Sequence, residues 1–275
     1  MKEYMSAPLP FVGQKRMFAG EYIKMLEEVK DAKVFVDLFG GSGLLSHITK
    51  RRLPDATVVY NDYDNYRARL AHIPETNGIL HELRGILAGL PRHKAIPEPE
   101  RGRVLDLLGS KEREHGFLDY ITLSSSLLFS MKYRTSLEGL RKETLYNNIR
   151  KQGYNAEGYL DGLEVTGCDY RELFNKYSGR DDVVFLVDPP YLSTEVGTYK
   201  MGYWRLSDYL DVLTVLQGTR FVYFTSNKSS IVELCDWMGR HPDIGDPFKG
   251  AVRKEFNARM NHSATYTDIM LYKVG

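Results

Sequence analysis

The chain has 275 residues, of which 43% are hydrophobic and 27% charged, values that are ordinary for a globular protein and argue against a disordered one. Its formal net charge of +1 is nearly neutral, whereas dedicated DNA-binding proteins are often strongly basic. No apolar run approaches the length of a membrane span, and Cys168 and Cys235 fit no zinc or disulfide pattern. We therefore expect a soluble cytoplasmic protein with one α/β core and a smaller second domain.

The first predicted elements form a unit of strand, glycine-rich turn and helix. A helix is predicted from about residue 15 to 29, and an apolar strand follows at residues 34–37. The strand leads into Leu38-Phe39-Gly40-Gly41-Ser42-Gly43, and residues 44–52 are predicted to be helical. Glycines allow positive φ and let a ligand approach the backbone closely. The G-x-G-x-x-G spacing of a dinucleotide site is absent, so a tight turn without a ligand is the alternative.

The second strand, predicted at residues 56–60, ends in Asn61-Asp62. An acid at this strand end is where an α/β nucleotide site holds ribose hydroxyls, because a carboxylate accepts two hydroxyl hydrogen bonds. Asp62 is the better candidate and Asp64 the second. A solvated acid at a strand end is the alternative.

Between residues 65 and 164 the alternation of strand and helix stops. Apolar residues at helical spacing in 79–87, 104–108 and 117–123 predict helices. A parallel sheet tolerates insertions at the carboxyl ends of its strands, where ligands also bind, so we expect this block beside the ligand cleft. Six basic against two acidic residues between 132 and 151 predict either a phosphate-binding surface or an ordinary solvated face.

After the insertion, strands are predicted at 164–167, 182–187 and 220–225, with an antiparallel C-terminal pair along one sheet edge. The strand that ends at Val187 leads into Asp188-Pro189-Pro190-Tyr191. The prolines lack N–H donors, so the local carbonyls can only accept hydrogen bonds, and Asp188 adds a further acceptor. Tyr191 can stack on a ring. This combination suits the methylation of a planar amino group; a proline-stiffened turn is the alternative.

Together these motifs resemble those of the Dam-like adenine-specific DNA methyltransferases, which use S-adenosylmethionine. Their order is that of the family's alpha group. The resemblance implies a Rossmann-like methyltransferase sheet at residues 1–64 and 165–275, with an inserted, mostly helical target-recognition domain at 65–164. It rests on Pro10–Arg16, Asp37–Gly43, Asn61-Asp62, Gly167–Tyr170, Asp188–Tyr191 and Ile269–Lys273.

The resemblance also assigns roles to single residues. Asp188, Pro189, Pro190 and Tyr191 would be catalytic: the Asp188 carboxylate and the Pro189 carbonyl would bind the amino group, and Tyr191 would stack on a base flipped out of duplex DNA. Lys15 or Arg16 would pair with the carboxylate of the cofactor. The full implied set for S-adenosylmethionine is Phe11, Lys15, Arg16, Asp37, Gly40, Gly41, Gly43, Asp62 and Asp169.

Candidate DNA contacts are Lys132, Tyr133, Arg134, Asn155 and Tyr199, with Tyr203 and Trp204 as further walls for the base or as ordinary packing. The insertion matches the better-known members only faintly, so their target sequence is not implied. The implied partners are double-stranded DNA and a cognate restriction endonuclease. Three alternatives stay open: N4-methylation of cytosine, methylation of an RNA or protein amine, and a DNA-binding relative without turnover. Asp188 favours adenine, because Ser is commoner at this position for cytosine and Asn for glutamine.

Overall fold

The computed structural model describes residues 3–29, 31–129, 132–190, 204–227, 229–241, 245–259 and 265–275. The described residues divide into two compact units. One, the sheet unit, takes its residues from 1–6, 14–64 and 158–275. The other, the helical unit, takes them from 7–13 and 65–157.

The sheet unit contains a seven-stranded sheet with the strand order β3-β2-β1-β4-β5-β7-β6. Strands β1 to β5 are parallel, and β7 runs antiparallel to both β5 and β6. The strand order reverses between β1 and β4, which is where open α/β sheets bind ligands at their carboxyl ends. The strands are β1 (Val34–Asp37), β2 (Thr57–Asn61), β3 (Glu164–Thr166), β4 (Val183–Val187), β5 (Arg220–Ser226), β6 (Val252–Arg259) and β7 (Thr265–Lys273).

Helices cover both faces of this sheet, which is why β1 and β4 are buried along their whole length. Successive side chains of a strand point to opposite faces, so Phe35 packs in one core cluster and Val36 in the other. The predicted α/β fold is confirmed, and it is Rossmann-like. The helices are α1 (Ala19–Glu28), α2 (Leu44–Arg52), α8 (Tyr170–Tyr177), α9 (Leu206–Leu216) and α10 (Ser230–Gly239).

The first helix is shorter than predicted. The sequence pattern places its start near residue 15, but α1 begins at Ala19. The preceding residues form a turn in which the Phe18 N–H donates to the Lys15 carbonyl at 3.0 Å. Lys15 is buried, although Arg16 and Met17 beside it are exposed. The residue therefore belongs to a turn ahead of the helix, not to its first turn.

The helical unit has its own apolar core, to which Leu83, Leu108, Leu123 and Leu140 contribute. Each segment in which helical spacing was found overlaps a helix there, although residues 87 and 117–119 lie outside the helices. The helices are α3 (Tyr66–Ala71), α4 (Ile73–Ile86), α5 (Glu100–His115), α6 (Tyr120–Leu127) and α7 (Leu137–Arg141). Across the described ranges, no helix combines the length and the apolar character that crossing a membrane requires.

The N-terminal segment 7–13 belongs to the helical unit, although it precedes the sheet in the chain. The Tyr66 hydroxyl accepts from the Leu9 N–H at 3.0 Å, and an Arg69 N–H donates to the Pro10 carbonyl at 2.8 Å. Arg69 is itself buried against the Asp119 carboxylate at 3.0 Å. A buried arginine that holds a backbone carbonyl thus fixes this segment to α3.

Candidate active site

The glycine-rich turn follows β1 and leads into α2. The Gly43 N–H donates to the Gly40 carbonyl at 2.7 Å, which closes the turn. Gly41 and Gly43 have φ of 50° and 70°, values that favour glycine. Gly40 is needed for space instead, because a Cβ there would lie 2.3 Å from a ring carbon of Tyr60. The turn therefore needs glycine at positions 41 and 43 for their backbone conformation and at position 40 for the packing of Tyr60.

Tyr60 connects this turn to the predicted ribose acid. Its ring is fully buried, and its hydroxyl lies 2.8 Å from the Gly41 carbonyl and 3.0 Å from Asp62 Oδ1. Burial, together with the nearby Asp62 charge, raises the pKa of Tyr60 well above its usual value, so the hydroxyl remains a donor. Sequence reasoning missed Tyr60. The alternation of β2 could have found it, since residues two apart share a face.

Asn61 joins the ends of three neighbouring strands. Its side-chain amide donates to the carbonyls of Leu38 and Cys168, both at 3.0 Å, and its side-chain oxygen accepts from the Cys168 N–H at 3.1 Å. Asp169 comes next and caps α8, with Oδ1 accepting from the Arg171 N–H at 2.8 Å. The chain after β3 is thereby held against the ends of β1 and β2. The role of Asp169 toward the adenine of the cofactor stays a prediction.

Asp37 and Asp188 lie at the same edge of the sheet, because Asp37 ends β1, Asp188 follows β4, and these strands are parallel neighbours. Asp37 is almost fully buried and accepts a hydrogen bond from the Ser46 hydroxyl at 2.7 Å. Burial raises the pKa of Asp37 to about 7, and the nearby Asp188 charge adds to this effect. The site therefore contains a carboxyl group that titrates near neutral pH.

Lys15 pairs with Asp188 in this structure. Lys15 Nζ lies 2.5 Å from Asp188 Oδ2, and only 7% of the lysine is exposed. Within the described residues, Asp188 Oδ1 is buried and has no hydrogen-bond partner. Lys15 thus pairs with the predicted catalytic acid in this structure, and its expected pairing with the cofactor carboxylate stays a prediction. The chain brings Lys15 to the end of β4 through the turn before α1.

Phe11 belongs to the helical unit, where its ring packs edge-on against Tyr66 with centroids 5.6 Å apart. Its role toward the cofactor stays a prediction. Trp204 is buried against Phe39 and Tyr170, in agreement with the ordinary-packing alternative. Phe39, to which no role had been given, therefore belongs to an aromatic cluster next to the turn. Tyr191, Tyr199 and Tyr203 lie outside the described residues.

The candidate DNA contacts of the insertion lie in the helical unit, and two of them already carry ion pairs. Glu143 pairs with Arg134 and with Lys132, the latter at 3.7 Å. The Asn155 side-chain oxygen accepts from the Glu157 N–H at 2.7 Å, a local turn contact. Tyr133 is half-buried. Part of the basic run is thus neutralised by its own acids, and a DNA role for these residues stays a prediction.

A cofactor with a sugar and a cationic centre fits the edge of the sheet unit. The turn carries no side chain at Gly40, Gly41 or Gly43, and the Tyr60 ring occupies the place that a Cβ of residue 40 would take. Asp62 contacts Tyr60 beside this turn, and its role toward ribose hydroxyls stays a prediction. Asp37 and Asp188 lie at the neighbouring strand ends, where Asp188 is paired with Lys15. A Rossmann-like sheet with these features defines the class of S-adenosylmethionine-dependent methyltransferases.

Comparison with known proteins agrees with this class. No protein-family model matches the chain. The chain is 35% identical over 280 residues to a Haemophilus influenzae protein that bears the name "Putative methyltransferase", and the match covers 99% of this chain and 93% of that protein. The chain belongs to this methyltransferase family, and its cofactor is S-adenosylmethionine.

Proposed function

We propose that the protein methylates N6 of adenine in double-stranded DNA. The observation that carries the proposal is the end of β4, where Asp188 has one buried carboxylate oxygen without a hydrogen-bond partner among the described residues. The next two residues are Pro189 and Pro190, which have no N–H groups to satisfy that oxygen locally. An acceptor of this kind is suited to an N–H donor on a ligand.

The chemistry of an exocyclic amine explains why acceptors are needed. The nitrogen lone pair is delocalised into the ring, so the amine is a poor nucleophile. Hydrogen bonds from its two N–H groups to Asp188 Oδ1 and to the Pro189 carbonyl would favour a pyramidal nitrogen and offset the positive charge that develops on it. The bound cofactor supplies a methyl group on a positively charged sulfur. No covalent intermediate with the protein is required.

The choice of substrate rests on the motif and on chemistry. Aspartate in the first position of Asp188-Pro189-Pro190-Tyr191 favours adenine over cytosine or glutamine by resemblance. A base inside a duplex is out of reach, so it must leave the stack, and Tyr191 is the proposed stacking residue. We assign target recognition to residues 65–164, with Lys132 and Arg134 as proposed phosphate contacts. A cognate restriction endonuclease would be the partner in a restriction–modification system.

Incubation with labelled S-adenosylmethionine and mixed-sequence duplex DNA, followed by nucleoside mass spectrometry, tests the proposal. Asp188→Asn keeps the shape of the side chain and removes its charge. Asp182→Asn is the matched control, because Asp182 precedes the same strand at its opposite end and pairs with Arg180. We expect N6-methyladenine from the wild type and from the control, and a loss of about 100-fold or more in Asp188→Asn.

Two results would contradict the proposal. N4-methylcytosine as the product would keep the chemistry of the site and refute the choice of base. Binding of S-adenosylmethionine without any product on DNA would refute the DNA substrate.

A further inference from the structure

In the ion pair between Lys15 and Asp188, the two carboxylate oxygens of Asp188 have different surroundings. Oδ2 receives the ammonium at 2.5 Å, whereas Oδ1 is buried without a hydrogen-bond partner among the described residues. The ammonium is itself held inside the protein, 5.9 Å from the centre of the Phe224 ring on β5. A lysine side chain carries about 2 kcal/mol of rotamer entropy, so holding it in one buried position requires compensating contacts. The pair is thus part of the interior and not a surface contact.

We propose that Lys15 is a positioning residue for Asp188: it binds Oδ2 and thereby leaves Oδ1 as the acceptor for the amino group of the substrate. The inference rests on the proposed function in one respect, namely that the substrate is an amine. It replaces the expectation, drawn from family resemblance, that Lys15 binds the carboxylate of the cofactor. If Lys15 positions Asp188, loss of the ammonium would impair catalysis. If Lys15 binds the cofactor carboxylate, the loss would weaken cofactor affinity.

The charges around Asp188 explain why it needs a cation. Burial raises the pKa of Asp188, the Lys15 ammonium lowers it, and the Asp268 carboxylate on β7 raises it. Asp37 faces the same group from β1, and Tyr266 on β7 is close enough to Lys15 to be influenced by its charge. Burial and the Asp268 carboxylate therefore oppose ionisation of Asp188, whereas the Asp188 charge raises the pKa of Asp37. Without the ammonium the carboxyl group would take up a proton at a higher pH.

A protonated Asp188 would be the wrong partner for an amine. A carboxylic acid has one hydroxyl that donates, and it places no full negative charge near a nitrogen that becomes positive. Lys15 would therefore contribute in two ways: it selects the oxygen that faces the substrate, and it keeps the group ionised at neutral pH.

Lys15→Met tests this role, because methionine retains much of the buried aliphatic volume and removes the charge. Lys24→Met is the matched control, since Lys24 is an exposed lysine of α1 that pairs only locally with Glu21. We expect the Kd of S-adenosylmethionine to change less than about threefold in Lys15→Met. The acid limb of the pH profile of kcat should move up by about 1–3 pH units, the range over which a neighbouring opposite charge shifts a carboxyl pKa. Activity should then recover partly toward pH 9.

A second readout does not depend on the DNA substrate. The carboxyl carbon of Asp188, followed by ¹³C NMR during a pH titration, should titrate about 1–3 units higher in Lys15→Met than in the wild type. If the wild type makes no product on DNA, the proposed function fails, and this titration still decides whether Lys15 keeps Asp188 ionised. Lys15→Arg retains the charge, so its titration should stay near that of the wild type even if Lys15→Met folds poorly.

Three results would overturn the inference. The first is a Kd for S-adenosylmethionine that weakens more than tenfold while kcat at saturating cofactor is unchanged, because Lys15 would then serve the cofactor. The second is an unshifted Asp188 titration in Lys15→Met. The third is a Lys15→Arg titration that matches Lys15→Met instead of the wild type.

Discussion

Replacing Gly40 by alanine tests whether the glycine-rich turn and Asp62, the acid predicted to bind ribose, form one site. The new Cβ would lie 2.3 and 2.4 Å from two ring carbons of Tyr60 and 2.8 Å from the Asn61 carbonyl oxygen, where ordinary contacts begin near 3.4 Å. The turn or the ring must therefore move by about 1 Å. Tyr60 is fully buried and cannot swing into solvent. Overpacking of this kind costs about 1–3 kcal/mol.

A second effect should fall on cofactor binding. Displacing the ring also displaces the Tyr60 hydroxyl from Asp62 and from the Gly41 carbonyl. We expect Gly40→Ala to weaken the binding of S-adenosylmethionine at least about tenfold, equivalent to about 1.4 kcal/mol. Isothermal titration calorimetry measures this affinity, and urea denaturation measures the stability.

Gly20→Ala is the control for Gly40→Ala. Gly20 lies in α1 of the same unit, and a Cβ there would meet nothing within 4 Å. Gly20 is the second residue of α1, where alanine has the better helix propensity, so this variant should be at least as stable as the wild type and bind the cofactor unchanged. Wild-type affinity and stability in Gly40→Ala would refute the steric argument.

Three further predictions follow from buried polar groups. Tyr60→Phe removes the hydroxyl next to Asp62 and should weaken the binding of S-adenosylmethionine about 3- to 10-fold, because one hydrogen bond is worth about 0.5–1.5 kcal/mol. Calorimetry measures this affinity. An unchanged affinity would show that the hydroxyl does not orient Asp62. Asp119→Ala leaves the buried Arg69 without its carboxylate and should lower the free energy of unfolding, measured in urea, by about 3–5 kcal/mol. Adding Arg69→Met to this variant should restore part of the loss. A double variant that is no more stable than Asp119→Ala would contradict this. Asp37 has a pKa of about 7 in the folded protein against 3.8 as the reference value, so the folded state retains a proton that the unfolded chain has lost between these values. Its contribution to stability is complete below pH 3.8 and is lost as the pH rises through 7. Asp37→Asn should lack this decline when the free energy of unfolding is measured in urea between pH 5 and 8. Parallel profiles of unfolding free energy against pH for the two proteins would refute the assignment.

The sheet itself was predictable from local patterns. Continuous apolar runs such as Val183–Val187 are typical of strands covered on both faces, and the structure has a buried strand there. The acids that follow such runs, Asp37 and Asp188, could be placed at one edge because parallel strands end together. Helical spacing likewise predicted α4, α5 and α6. Each of these inferences depends only on residues close together in the chain and on general rules for parallel sheets.

Other features of the site depend on contacts between distant residues. The need for glycine at position 40 comes from the Tyr60 ring, which belongs to the neighbouring strand. Asp188 pairs with Lys15, which lies 173 positions earlier in the chain. The segment that contains Phe11 is fixed to α3 by Arg69, more than fifty residues later in the chain, and the role of Phe11 toward the cofactor stays a prediction. A sequence motif lists such residues together without showing which of them touch.

The sequence by itself determined the class of fold, the order of the strand and turn motifs, and the acids at the strand ends. Each of these can be recognised from a few neighbouring residues, because strands and helices repeat every 2 and 3.6 residues and turns have preferred residue types. Only the tertiary structure decided the strand order that makes Asp37 and Asp188 neighbours and the pairing that leaves one oxygen of Asp188 buried without a partner among the described residues. Those features arise from packing and electrostatics between segments far apart in the chain, where short motifs carry no information about distance.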